Sequence, residues 1–212
     1  MTPLAVALAI AGAVWGYASD RIAVRWPEHE EGEGGRAPGW RTLVAVLTGA
    51  LALGAVTLVY EGTGERLVFG VYLVALVILL AIDLDQRLLP DELTLPVIPL
   101  ALLFAFVGSN PLVSPGGLPI SIVVALALPV ALFALSLPFG AGAFGLGDVK
   151  LLVSVGLLAG PWRLLGGVVY GVLGAGVVIL VLLVLRRITL KTYVPFGPFL
   201  VFGAMWALLA IR

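Results

Sequence analysis

The sequence predicts an all-α, polytopic membrane helix bundle of about eight transmembrane helices, and three observations carry that prediction. Apolar residues make up 61% of the 212 residues and charged residues only 11%, with a mean hydropathy of +1.17. A soluble domain carries about 25% charge, and so few polar groups could not cover so much apolar surface. The apolar runs also recur at lengths close to the ~20 residues that one helical crossing of a ~30 Å hydrocarbon core requires. No run alternates apolar with polar residues, so the strands of a membrane barrel are not indicated.

Each element follows from its own boundaries. The first helix is expected over 3–19. Its small residues Ala18 and Ser19 resemble a signal cleavage site, but no Lys or Arg precedes the apolar stretch, so a retained span is expected. The second is expected over 41–60, and Glu61-Gly62-Thr63-Gly64 separates it from the third over 67–83. The fourth, over 93–108, carries Pro96 and Pro99 early, which would shorten or bend it. The fifth is expected over 118–138. Residues 93–147 hold no charge, so Ser109-Asn110-Pro111 and Ser114-Pro115-Gly116-Gly117 alone place the turn before it. The sixth (148–160), seventh (163–185) and eighth (194–211) are separated by Gly160-Pro161 and by Arg186-Arg187.

The basic residues orient this arrangement. With the N-terminus outside, the cytoplasmic loops hold Arg21, Arg25, Arg36, Arg41, Arg87, Lys150, Arg186, Arg187 and Lys191, and the outer segments only Arg66, Arg163 and Arg212. That asymmetry follows the positive-inside rule and would be scrambled by one missing crossing. The expected organisation is therefore two N-terminal spans within 1–66, joined by a polar cytoplasmic loop over 20–41, and a six-span core over 67–212. The glutamates and glycines of the loop suggest a flexible, solvated segment.

Composition also excludes several chemistries. The chain has no Cys, which removes disulfides, thiolate zinc and cysteine nucleophiles, and His29 is the only histidine. Twelve basic and twelve acidic residues cancel, so the expected partner is the lipid bilayer and not nucleic acid.

Two aspartates stand against or inside apolar sequence, where a carboxylate costs at least ~2.5 kcal/mol. Asp83 ends the third span and Asp148 opens the sixth. Two crossings separate them, so both lie at one membrane face, cytoplasmic by the charge count. Only twelve uncharged residues, Leu151–Trp162, follow Lys150. This run is about 18 Å of helix, which places Asp148 below the surface on the wall of a cytoplasmic cavity. Gly140, Gly142, Gly145 and Gly147 precede Asp148, and bare backbone at 145 and 147 would let an extended peptide lie alongside. The plainer alternative is an interfacial loop whose Asp148 N-caps the sixth helix. Two carboxylates facing one another at low dielectric share a proton. Such a pair suits peptide hydrolysis without a metal, one member activating water and the other protonating the oxyanion. A proton-coupled carrier is the rival reading. Asp85, Asp91 and Glu92 read as solvated charges, with Asp91 capping the fourth helix, or as ligands of a divalent ion. Lys150 either biases the field at Asp148 or snorkels to the interface. A Lys150–Ser154 dyad is disfavoured by the apolar run around Ser154.

Asp83-Leu-Asp-Gln-Arg-Leu-Leu-Pro-Asp-Glu-Leu-Thr-Leu-Pro96, followed by Gly145-Leu-Gly-Asp-Val-Lys150, resembles the type IV prepilin peptidases, membrane aspartic proteases of the G-x-G-D class. The spacing of 65 residues between Asp83 and Asp148 and the closing Val194-Pro-Phe-Gly-Pro-Phe-Leu200 are also similar to bacterial members. The resemblance implies an aspartic endopeptidase of the bacterial inner membrane that removes the basic leader of type IV prepilins or pseudopilins at the cytoplasmic face. It carries the catalytic pair onto Asp83 and Asp148, and the supporting motif positions onto Gly145, Gly147 and Lys150. Many members also N-methylate the new terminus with S-adenosylmethionine and carry paired C-x-x-C motifs in the first cytoplasmic loop. Here Gly16-Tyr-Ala-Ser-Asp-Arg-Ile-Ala-Val-Arg-Trp-Pro27 keeps the opening of that region, with Asp20 where Asn is usual, but the loop is short and the cysteines are absent. A short form is expected: no zinc, no S-adenosylmethionine, and peptidase activity alone, with residual methyltransferase activity as the alternative.

Overall fold

The computed structural model describes residues 2–27, 36–106, 110–139, 144–189 and 196–210. Among them are eight α-helices and no strand: α1 (Pro3–Ala23), α2 (Trp40–Val59), α3 (Thr63–Gln86), α4 (Asp91–Phe106), α5 (Leu118–Ser136), α6 (Leu146–Ala159), α7 (Pro161–Val184) and α8 (Gly197–Leu209). Each expected helix is present within a few residues of its expected place. Gly and Pro fix the ends: Pro3 and Pro161 open α1 and α7, and Gly160 at φ +81° separates α6 from α7.

Five helices, α1, α2, α3, α5 and α7, are long and apolar enough to cross a bilayer, and the protein is a multi-pass membrane protein. The other three are shorter, at 16 (α4), 14 (α6) and 13 (α8) residues. At 1.5 Å per residue they reach about 20–24 Å, less than a ~30 Å hydrocarbon core. The short helices pack inside. Every residue of α6 from Leu151 to Ala159 is buried, and α8 buries most of its length. The C-terminal half of α3 is buried as well, from Leu76 through Asp83. In contrast, α5 and α7 turn Val123, Leu126, Val130, Leu173, Val177 and Leu180 outward, as lipid-facing helices do.

Close helix approach comes from small residues, because apolar side chains gain little by leaving lipid for protein. A Cβ on Gly12 of α1 would lie 2.1 Å from the Gly49 carbonyl oxygen of α2, and one on Gly203 of α8 would lie 2.2 Å from that of Gly167 in α7. Polar side chains tie the remaining joints. The Trp15 indole donates to the Val74 carbonyl (2.9 Å), joining α1 to α3, and the Tyr60 hydroxyl donates to the Leu208 carbonyl (2.5 Å).

One end of the bundle gathers the C-termini of α1 and α3 and the N-termini of α2, α4, α6 and α8. The Gln86 amide donates there to the carbonyls of Ala23 (2.6 Å) and Trp26 (3.0 Å). This is the parity that the span count requires, and it places Asp83 and Asp148 at the same end.

Candidate active site

Asp83 lies in the last turn of α3. The helix runs three residues past its expected end, so Asp83 sits on a helix face, and its carbonyl accepts from the N–H of Arg87 (3.0 Å). Arg87 caps the helix in the left-handed region (φ 60°), a conformation uncommon for a residue with a side chain. It turns the chain sharply into Leu88-Leu89-Pro90 and α4. Asp83 is only 4% exposed, and among the described residues no donor reaches its Oδ2.

Asp148 lies in the first turn of α6, at its third position. It does not N-cap the helix as the plainer sequence reading has it: Gly145 is the cap, and the Gly145 N–H donates to Asp148 Oδ2 (2.9 Å). The carboxylate thus satisfies one of the amides that a helix start leaves without a partner. Asp148 is close enough to Asp83 for its charge to act on that carboxylate, and Arg87 supplies the neighbouring positive charge.

The two sequence motifs are held together by direct packing. A Cβ on Gly147 would fall 2.8 Å from Leu89 Cβ and 3.0 Å from the Leu89 carbonyl oxygen. The Cβ side of Gly147 is therefore occupied by the α3–α4 turn, which leaves Gly145 as the glycine of the pair with room at its Cβ position. Gly145 is different, because the nearest atom to its Cβ position is Asp148 Oδ2 at 3.5 Å. Gly140 and Gly142 lie outside the described residues. Lys150 neither snorkels freely nor serves Ser154: its Nζ lies 2.5 Å from Asp91 Oδ1, a second link between the motifs. Asp91 is the first residue of α4 and not its cap. Ser154 is fully buried, hydrogen-bonded to the Tyr72 hydroxyl and donating to the Leu151 carbonyl (2.7 Å), which leaves no dyad with Lys150.

Asp85 also departs from its expected solvated state. Its side chain is 8% exposed, with Arg41 Nη1 at 2.5 Å and Arg36 Nε at 3.3 Å. Arg36 Nη2 reaches on to Asp20 Oδ1 (2.6 Å), and Asp20 also pairs with Arg21 and accepts from the Thr42 hydroxyl (2.8 Å). The described parts of the 20–41 stretch are thus fastened to the ends of α1 and α3. A carboxylate buried like Asp20 must be paired, and arginines are the partners available nearby. Residues 28–35 lie outside the described set. Asp85 turns to the arginines and Asp91 to Lys150, and among the described residues no three His, Asp or Glu side chains converge to hold a metal ion.

Sequence reasoning assigned no role to Gly197 or Leu89. Gly197, the first residue of α8, lies directly against the Asp83 carboxylate. The signal was present in the closing Phe196-Gly197-Pro198-Phe199 segment, but nothing in its chemistry shows which partner it meets. Lys191, Val194 and Pro195 lie outside the described residues.

The sequence profile of the type IV leader peptidase family matches residues 70–184, from mid-α3 through α7 and including both aspartates. The chain belongs to the type IV leader peptidase family. Its relatives include the prepilin leader peptidase/N-methyltransferase of Aeromonas hydrophila, 34% identical over 180 residues, which cover 82% of this chain and 51% of the relative. The protein of that name from Burkholderia pseudomallei (strain K96243) is 34% identical over 166 residues, covering 76% and 52%. Its counterpart in Pseudomonas putida is 35% identical over 153 residues, covering 71% and 52%. The chain spans about half the length of the curated relatives it matches. No solved structure matches it.

Proposed function

We propose that this family member is a membrane aspartic endopeptidase that removes the basic leader from type IV prepilins or pseudopilins. Its catalytic pair is Asp83 and Asp148, working at the cytoplasmic face of the bacterial inner membrane. The observation that supports the reading is that two carboxylates from motifs 65 residues apart lie at the same end of the bundle, within electrostatic reach of one another, one of them buried with an oxygen that no described donor satisfies. In the chemistry proposed, the pair shares one proton. The ionised member takes a proton from water, the oxygen attacks the scissile carbonyl, and the neutral member protonates the developing oxyanion. Collapse of the tetrahedral diol breaks the C–N bond: the proton taken from water passes to the leaving amine, and a diol hydroxyl returns its proton to the second aspartate, which restores the singly protonated pair.

Gly145, Gly147 and Lys150 act around this pair as supports: Gly145 hydrogen-bonds Asp148, Gly147 seats α6 on the α3–α4 turn, and Lys150 ties α6 to Asp91. The cytoplasmic face is supported by the basic residues clustered at the aspartate end, where Arg21, Arg36, Arg41 and Arg87 gather. Peptidase activity alone is proposed, without zinc or S-adenosylmethionine. A chain with no Cys and one His lacks the donors for a thiolate zinc module, and Asp20 and Arg36 are engaged in ion pairs.

The test is leader cleavage by the purified protein in detergent, beside Asp83→Asn and Asp148→Asn. Wild type is expected to release the leader, and each variant to insert and fold normally with cleavage lost by at least ~10³-fold. Cleavage that survives either substitution removes the pair from the mechanism. Absence of cleavage by well-folded wild type across several prepilins, with proton flux in proteoliposomes that Asp83→Asn abolishes, would establish a carrier instead.

A further inference from the structure

The Phe196-Gly197-Pro198-Phe199 segment opens α8 against the last turn of α3. A Cβ on Gly197 would fall 2.3 Å from Asp83 Oδ2, 2.6 Å from its Cγ and 2.7 Å from Oδ1. All three atoms of the carboxylate therefore stand where a side chain would begin. Other tight glycines, such as Gly167 and Gly203, meet mainly the backbone of a neighbouring helix. Gly197 instead meets a carboxylate.

The first turn of α8 approaches that carboxylate without hydrogen-bonding it. Pro198 has no N–H, and the N–H groups of Phe199 and Leu200 both return to the Phe196 carbonyl (3.1 and 3.3 Å). Oδ2 is left buried with no donor among the described residues. Leaving a buried oxygen unsatisfied is costly, and such groups are retained where the oxygen has other work.

The geometry points to Gly197 as the positioning residue for Asp83. Its missing side chain lets α8 close on α3 at the level of the carboxylate and fixes where that carboxylate stands relative to Asp148, while Oδ2 stays free of protein donors. This role rests on the two-aspartate reading above. It does not make Gly197 a catalytic residue, because Gly197 acts only through Asp83.

The experiment compares Gly197→Ala with Gly176→Ala in the full chain in detergent. Gly176, in α7, has no atom within 4 Å of its Cβ position. To bring 2.3 Å out to an ordinary contact, the carboxylate must move by roughly 1 Å, and a displacement of that size costs about 10²-fold in rate. Gly197→Ala is expected to lower kcat for leader cleavage about 100-fold with KM within about threefold, and Gly176→Ala to change neither. A readout independent of activity is the Asp83 carboxyl band in the infrared spectrum of ¹³C-aspartate-labelled protein, isolated by subtracting the spectrum of Asp83→Asn. The band is expected to shift in Gly197→Ala and not in Gly176→Ala. An unmoved band, or a kcat within threefold of wild type, overturns the proposal. If wild type cuts no prepilin, the peptidase reading fails, and the band alone decides the role of Gly197. If Gly197→Ala does not insert, the double variant Asp83→Ala/Gly197→Ala decides. Recovered folding places the clash at the carboxylate, and continued failure places it elsewhere and overturns the proposal.

Discussion

Substituting Gly147 by Ala separates two explanations of the glycines before Asp148. If the glycines clear room for a peptide, Gly145→Ala and Gly147→Ala should both obstruct substrate. If Gly147 seats α6 on the α3–α4 turn, the two diverge. The Gly147 Cβ position lies 2.8 Å from Leu89 Cβ, and an ordinary contact needs about 3.5 Å, so α6 or the turn must give by about 0.7 Å. Asp148 is the next residue, so any movement of α6 is delivered directly to its carboxylate. With about 10²-fold lost per ångström of misplacement, Gly147→Ala should reduce kcat by roughly 10–100-fold. Overpacking should cost a further ~1–3 kcal/mol of stability. At Gly145 the nearest atom is 3.5 Å away, φ is −87°, and the N–H to Asp148 survives the substitution. Gly145→Ala should cost less than about threefold in rate, with ~0.5–1 kcal/mol lost at the helix cap. Cleavage of a prepilin under steady-state conditions, with thermal unfolding in the same detergent, measures both. Equal losses in the two variants, or a larger KM effect at Gly147 than a kcat effect, would refute the seating argument and restore the peptide-groove explanation.

Two further pairs of substitutions follow from the polar contacts. Asp85→Asn leaves Arg36 and Arg41 without the carboxylate they share and should destabilise the protein by ~1.5–3 kcal/mol in thermal unfolding. Asp91→Asn breaks a pair whose acid is 58% exposed and should cost less than ~1 kcal/mol; a reversed order would show that burial does not set the strength of these pairs. Ser154→Ala should keep leader cleavage but strand the buried Tyr72 hydroxyl, at ~1–3 kcal/mol, whereas Tyr72→Phe should cost less because Ser154 keeps its bond to Leu151. Loss of cleavage in a fully stable Ser154→Ala would bring the Ser–Lys dyad back.

The helices were legible because a span in lipid must satisfy its own backbone, so apolar length and Gly/Pro punctuation are enough to place it. From sequence the third helix is expected to end at Asp83, where charge begins. In the structure the helix continues to Gln86, and Asp85 in that last turn pairs with arginines from another part of the chain. The polar 20–41 stretch suggests solvation on the same ground, but polarity in sequence does not reveal whether a charge faces water or an opposite charge. Asp85 and Arg41 are 44 residues apart, and no local pattern connects them.

The sequence by itself determined the membrane class, the number and order of the helices among the described residues, and the shared end of Asp83 and Asp148. These depend on composition, span length and the parity of crossings, all of which are one-dimensional properties. Tertiary structure decided what each small or polar residue touches. Gly145, Gly147 and Gly197 are chemically identical, yet one holds an amide toward Asp148, one admits Leu89, and one admits the Asp83 carboxylate. A glycine carries no side chain from which a partner could be inferred. Its function is the shape of what packs against it, and that shape exists only once α3, α6 and α8 have come together.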